Sequence, residues 1–283
     1  MESAATIVPY VKQFCTDGVL EYVIATHAHQ DHIAGFVGTS SAKGIFESFV
    51  CETIIDYPRS DSTSQIRGKY ETLRNAEVKA GAKHYTALEC YENANGAKRS
   101  YTLAEGVTMN FLYHDYYKNK ASDENNYSVC MLLTEGKNNY LFTGDLAKAG
   151  EESLVAKNQL PKCKLYKAGH HGSYTSSNSV LLAKIQPEIV CVCCCCGSTE
   201  YTTNTANMFP SQDFVNRIAP YTDKVYVTTI AANNTKGYTS MNGNIVVTSK
   251  NGVVSVNCSN NNTLFKNTEW FKKNRTMPSA WAS

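Results

Sequence analysis

A chain of 283 residues, 42% hydrophobic and 18% charged, is long and apolar enough for one large α/β domain, which excludes a disordered polymer. The net charge of +2 and pI near 7.9 exclude the strong basic footprint of a dedicated duplex-DNA binder, while nucleic acid stays open as a substrate. No apolar run approaches about 18 residues and no leader follows Met1, so no membrane span is expected; eleven cysteines without a disulfide framework point to a reducing compartment, the cytoplasm.

Residues 3–15 carry Ile7, Val8, Val11 and Phe14 at helical spacing, which predicts a helix covering a sheet. Leu20 to Ala25 is an apolar run with Tyr22, Val23 and Ile24, which predicts a buried strand. It ends in Thr26-His27-Ala28-His29-Gln30-Asp31-His32, where three of the 7 histidines fall within six residues. A strand that releases His27, His29, Asp31 and His32 into a loop suits a metal site. The sheet fixes the backbone, and imidazole nitrogens with a carboxylate suit zinc, manganese or iron. A strand over Thr53 to Tyr57, a helix over Ser62 to Ala80 stopped by Gly81, and a strand over Lys83 to Ala87 follow. Arg59, Ser60 and Asp61 read as a solvated turn. Val107 to Tyr113 alternates as a strand and leads to His114. Asn119 to Asn126 reads as a polar loop, and Tyr127 to Thr134 with Asn139 to Thr143 as a hairpin.

Leu141-Phe142-Thr143-Gly144-Asp145 delivers a carboxylate from a strand end, with Gly144 permitting a sharp turn. The plainer alternative makes Asp145 the N-cap of the helix that follows, over Gly150 to Lys157. A strand over Lys164 to Lys167 leads into Gly169-His170-His171-Gly172. Adjacent side chains diverge in extended backbone, so His170 is expected to ligate and His171 to support it or touch substrate. Ser176 to Ile185 predicts a helix. Cys191 and Cys193 to Cys196 follow Pro187-Glu188-Ile189-Val190 on a buried strand, where thiols serve as small core residues. Ser211 caps a helix to Ala219, Lys224 to Thr229 is a strand, and Asn244 to Ser249 with Val253 to Asn257 is a hairpin. Strands alternating with helices, plus hairpins, predict an α/β fold of two mixed sheets sandwiched by helices. Residues 1–258 form the expected domain and 259–283 a C-terminal tail.

The H-x-H-x-D-H run after a buried strand resembles the signature of the metallo-β-lactamase superfamily. Asn125-Asn126-Tyr127-Ser128, Thr143-Gly144-Asp145 and Lys167-Ala168-Gly169-His170-His171-Gly172-Ser173 follow in order. This series resembles the ComEC-like metallo-hydrolase branch and the related bacterial phosphorylcholine esterases, over roughly residues 18–257. The resemblance implies an αββα sandwich lacking the N-terminal β-hairpin, because no glycine-rich turn precedes the first helix. It implies two divalent metal ions, zinc first with Mn2+ or Fe2+ as alternatives. His27 and His29 would hold one ion, Asp31 and His32 the other, with Asp145 bridging and His170 completing a shell. Asp31 or Asp145 would orient a metal-bound hydroxide, and Asn126, Ser128 and His171 would contact water or substrate. His84 and His114 lie where many members supply a further histidine, and neither sits in a family motif. Phe209-Pro210-Ser211 stands where a His-Pro segment often occurs, so that histidine is absent here. The implied activity is hydrolysis of phosphodiester bonds. An ester, lactone or β-lactam substrate is the second option, and a non-catalytic metal-binding accessory domain of DNA uptake or the cell surface is the third.

Overall fold

The computed structural model describes residues 3–231 and 238–282. The chain divides into two compact units. One holds the residues up to Arg99 with Asp115–Val129; the other holds Ser100–His114 with the residues from Cys130 onward.

The first unit contains α1 (Ser3–Val11), β1 (Val19–Ile24), α2 (Gln30–Val37), α3 (Ile45–Ser48), β2 (Val50–Asp56), α4 (Gln65–Ala80), β3 (Lys83–Thr86) and α5 (Ala87–Glu92). Strands β1, β2 and β3 form a parallel sheet in that order, with Val23 opposite Ile54 and Ile55 opposite Tyr85. Parallel neighbours need helical crossovers, and α2 through α4 supply them. Ile33, Ile54, Ile55 and Tyr70 are fully buried, each such apolar side chain contributing roughly 1.5–3 kcal/mol. The Ser64 side chain caps α4 by accepting from Arg67 N, and Gly81 ends it at φ 119°, in the left-handed region. Helix α5 had no predicted counterpart, yet Thr86 and Glu89 form its capping box, a pattern present in the sequence.

The second unit contains β4 (Ser100–Ala104), β5 (Val107–Leu112), β6 (Cys130–Glu135), β7 (Asn138–Phe142), α6 (Lys148–Lys157), β8 (Leu165–Lys167), α7 (Ser179–Ile185), β9 (Ile189–Cys196), α8 (Gln212–Ile218), β10 (Val225–Ala231), β11 (Tyr238–Ser240), β12 (Ile245–Lys250), β13 (Val253–Cys258) and α9 (Glu269–Asn274). Eight strands form one mixed sheet in the order β11-β10-β9-β8-β7-β6-β5-β4, parallel from β7 to β10. Leu154 of α6, Leu182 of α7 and Phe214 of α8 pack with Tyr166, Val190, Val192 and Val227 of the sheet. Phe265, Phe271 and Trp281, from beyond Cys258, join the same core. The β12–β13 hairpin lays Ile245, Val247, Val254 and Val256 on Tyr140, Leu165, Ile189 and Cys191. The α/β class expected from the sequence is present in each unit.

The cysteine run needs one correction. Alternation along β9 exposes Cys193, leaves Cys194 and Cys195 half-buried and buries Cys196, so Cys196 is a core residue and Cys193 is not. All eleven cysteines are free thiols. Burial pushes the Cys194 and Cys196 thiols up, which keeps them protonated and poor ligands. Among the described residues, no helix is long and apolar enough to cross a membrane.

Candidate functional site

In the first unit the sheet holds the chain up to the histidines, because Ala25 N still donates to Ile55 O at 3.1 Å beyond the end of β1. The four motif residues do not all lie in a loop, as the sequence suggested. His29 is the extended cap residue of α2, and Asp31 and His32 sit in its first turn. The reason is local: Ile33 and Val37, one turn apart, are the buried face of that helix. Asp31 thereby gains the positive end of α2. His27 is fully buried. Thr26 Oγ1 lies 3.2 Å from His27 Nδ1 and 3.1 Å from His32 Nδ1. His27 Nε2 lies 3.0 Å from His29 Nδ1, and His32 Nε2 3.6 Å from Asp31 Oδ2. The Thr26 hydroxyl has one proton, so it donates to one ring and accepts from the other.

Asn125, Asn126 and Ser128 are buried, and the first two belong to a 3-10 turn over Glu124–Tyr127. The Asp123 side chain accepts from Asn125 N at 3.0 Å, and Val129 N donates to Thr26 O at 2.8 Å. The Asn-Asn segment is thus sewn to the start of the histidine motif. The Arg59-Ser60-Asp61 turn, read from sequence as merely solvated, helps hold it. Glu124 accepts from the Ser60 hydroxyl and, at 2.9 Å, from Asp61 N, while Tyr127 OH donates to Asp61 Oδ2 at 2.7 Å. His84 is engaged elsewhere, 2.9 Å from Asp56 Oδ1.

In the second unit β7 ends at Phe142, Gly144 turns at φ 54°, and Asp145 is left 2% exposed. The cap position of α6 belongs to Ala147, so Asp145 is not its N-cap. After β8, His170 and His171 both adopt left-handed backbone, at φ 44° and 54°. Two consecutive non-glycine residues in that region are uncommon. This overturns the extended backbone assumed from sequence, and with it the divergence of the two rings: both face Asp145. His171 Nε2 lies 3.3 Å from Asp145 Oδ2, His170 Nε2 at 4.0 Å from the same oxygen, and Lys167 Nζ at 3.9 Å from Oδ1. His171 Nδ1 donates to Cys193 O at 2.7 Å. A carbonyl only accepts, so Nδ1 carries a proton and Nε2 is the ring nitrogen that faces Asp145. His170 Nδ1 is 2.9 Å from Thr175 Oγ1. His114 is fully buried beyond the end of β5.

Two residues of this region went unnoticed in the sequence. Lys167 lay in the motif without a role. Glu151, fully buried on α6, accepts from Ser177 N at 2.6 Å, Asn178 N at 2.8 Å and Asn178 Nδ2 at 2.9 Å. It ties down the loop that carries Thr175. Burial raises its carboxyl to about 7 against those hydrogen bonds and the nearby Arg217. No short-range pattern announces either residue, since their partners are distant in the chain.

The donor sets fit divalent metal ions. Two imidazole nitrogens on one tetrahedral ion stand roughly 3.3 Å apart, close to the 3.0 Å between His27 and His29. A neutral ring whose outer N–H is fixed by a carbonyl is the usual arrangement of a ligating histidine.

No protein-family model matches the chain. In sequence it is similar to competence protein ComA of Neisseria gonorrhoeae, 38% identical over 101 residues, which is 35% of this chain and 14% of that one. It is also similar to recombination protein 2 of Haemophilus influenzae, 38% identical over 69 residues, 24% of this chain and 8% of that one. ComE operon protein 3 of Bacillus subtilis is 23% identical over 172 residues, 60% of this chain and 19% of that one. The matches thus span less than a fifth of each relative's length. Among solved structures, the metallo-beta-lactamase fold protein YhfI from Bacillus subtilis is 12% identical with a TM-score of 0.39 and 75% of each chain covered. Human tRNase Z, short form, is 13% identical with a TM-score of 0.28, over 74% of this chain and 72% of that one. The motif series His27 to His32, Thr143 to Asp145 and Gly169 to Gly172 is what resembles the metallo-β-lactamase superfamily. The sequence likeness to the competence proteins agrees with a resemblance to the ComEC-like branch.

Proposed function

We propose that this chain is a hydrolase of phosphodiester bonds that depends on divalent metal ions, zinc being the first candidate. Its ligand residues in this reading are His27, His29, Asp31, His32, Asp145 and His170, and His171 joins them as a candidate through its Nε2. The observation that carries the reading is that each unit pre-arranges its donors: His27 and His32 on Thr26 with His29 against His27, and two imidazoles turned onto Asp145. The sequence likeness to the competence proteins supports it. Bound ions would supply Lewis acidity and a water acidified toward neutrality. The chain's own residues do the rest. Asp31 or Asp145 would orient the attacking water, and Asp145 would offset the repulsion between cations. The Asn126 amide and Lys167 ammonium offer donors to a phosphoryl oxygen. Thr26, Thr175 and the Cys193 carbonyl hold the imidazoles in their working orientations.

The test is elemental analysis after metal loading, followed by a substrate panel. Close to two ions per chain and preferential turnover of a phosphodiester are expected. Absence of bound metal would sink the hydrolase. Preferred turnover of an ester, lactone or β-lactam would move the chemistry to carbonyl carbon. Two ions with no turnover of any substrate would leave a metal-binding accessory domain.

A further inference from the structure

We infer that Tyr201 and Phe209 form a ring-stacking wall beside His171 that selects substrates carrying a planar ring next to the scissile ester. The scissile ester rests on the hydrolase reading; the ring selectivity rests on the geometry of the second unit. Phe209 stacks on His171 with centroids 5.8 Å apart and planes at 28°, and meets His170 at 5.6 Å. Tyr201 continues the array at 5.4 Å and 33° from Phe209 and is 58% exposed. Separations of about 4.5–7 Å are those of offset stacks. Three rings in near-parallel steps therefore lead from the imidazole beside Asp145 out to solvent.

The loop that carries these rings is built onto the histidine turn. Ser211 N donates to Gly172 O at 2.9 Å, and Gly197 N to Phe209 O at 2.9 Å. A Cβ on Gly172 would come within 2.9 Å of Pro210 Cβ, so only glycine admits this close approach. Arg275, 7% exposed, donates Nε to Pro210 O at 2.9 Å, Nη1 to Thr205 O at 3.0 Å and Nη2 to Met208 O at 2.7 Å. Its guanidinium stacks over Trp270 at 4.5 Å. Burying an arginine to hold three loop carbonyls is costly, which sets this segment apart from an idle connection. Packing against the histidines explains Phe209 alone. It does not explain an aromatic ring aligned with Phe209 at the exposed position 201. Rings offset at these separations overlap only in part, and an exposed ring such as Tyr201 recognises another ring by stacking, without a hydrogen-bond code. A nucleobase and an aryl leaving group share that chemistry.

The experiment uses the metal-loaded full chain and calorimetric binding of four phosphomonoesters: phenyl phosphate, thymidine 5′-monophosphate, ribose 5-phosphate and phosphocholine. The two ring-bearing esters should bind about tenfold tighter than ribose 5-phosphate. Tyr201→Ala should remove most of that ratio, and Tyr201→Phe should keep it. A larger advantage for the thymidine ester assigns the wall to a nucleobase; a larger one for the phenyl ester assigns it to an aryl leaving group. Three outcomes overturn the proposal: no ring advantage in the parent protein, an advantage untouched by Tyr201→Ala, or an advantage confined to phosphocholine. Metal content measured on Tyr201→Ala separates a scaffold role, since loss of metal there would also overturn it. Binding is read without turnover, so failure to cleave any ester would count against the hydrolase while leaving the wall intact.

Discussion

Asp56 in the first unit and Asp145 in the second are both buried, and each faces histidine and a basic side chain. Asp56 is drawn into a closed set: Arg74 Nη1 at 2.7 Å, His84 Nε2 at 2.9 Å and Tyr70 OH at 3.3 Å. Asp145 meets His171, Lys167 and His170 at 3.3, 3.9 and 4.0 Å. N–H···O hydrogen bonds close at about 2.7–3.2 Å. Arg74 and His84 therefore sit at direct hydrogen-bond distance from Asp56, while His170 and Lys167 stand farther from Asp145. Residue types alone do not distinguish the two carboxylates; the distances around them do.

Breaking the closed set should have the largest effect. Asp56→Asn leaves the mostly buried Arg74 guanidinium without its counter-charge. Stability should fall by about 3–5 kcal/mol in urea unfolding, with the metal content of the folded fraction unchanged. Lost metal at unchanged stability would invert the comparison.

Asp145→Asn should do the opposite. Metal binding should weaken by about 10- to 100-fold or more, turnover should drop at least as far, and the fold should survive. His84→Ala is the matching control and should leave bound metal alone. Retention of both ions and full turnover in Asp145→Asn, with their loss in His84→Ala, would put the site in the wrong place.

A third carboxylate, Glu151, sharpens the contrast because uncharged N–H donors of Ser177 and Asn178 hydrogen-bond it. Its carboxyl rises from 4.5 to about 7 on folding. A raised acid stabilises the fold most below its unfolded value, and the contribution fades as pH climbs through the folded value. The protein should thus lose on the order of 3 kcal/mol between about pH 4.5 and 7 from this group. Glu151→Gln should flatten that slope in thermal unfolding followed across pH. A slope unchanged by the substitution would assign it to other groups.

The smallest effects belong to the cysteines. Cys196→Ala empties core volume and should lower stability by about 1–2 kcal/mol, while exposed Cys193→Ala should change it by about 0.5 kcal/mol or less. Neither should alter metal content, because His171 uses the Cys193 carbonyl and not its thiol. A drop in bound metal for either variant would reopen the thiols as ligands.

What the sequence determined by itself is what spans a few residues. The stop of α4 at Gly81 and the Ser211 cap of α8 could be read there because each depends on neighbours within one helical turn. The same holds for the Gly144 turn, the β12–β13 hairpin and the grouping of His27, His29, Asp31 and His32. The left-handed pair His170–His171 escaped notice because no residue type demands it; the surrounding contacts impose it. Which cysteine faced solvent depended on the phase of β9 in its sheet, which composition does not encode. The rings on His171 and the Arg275 clamp join residues tens of positions apart, as do the Glu151 anchor and the closed set around Asp56. Only strand order and packing bring such partners within reach, so tertiary structure alone decided which side chains stand around each carboxylate and at what distance.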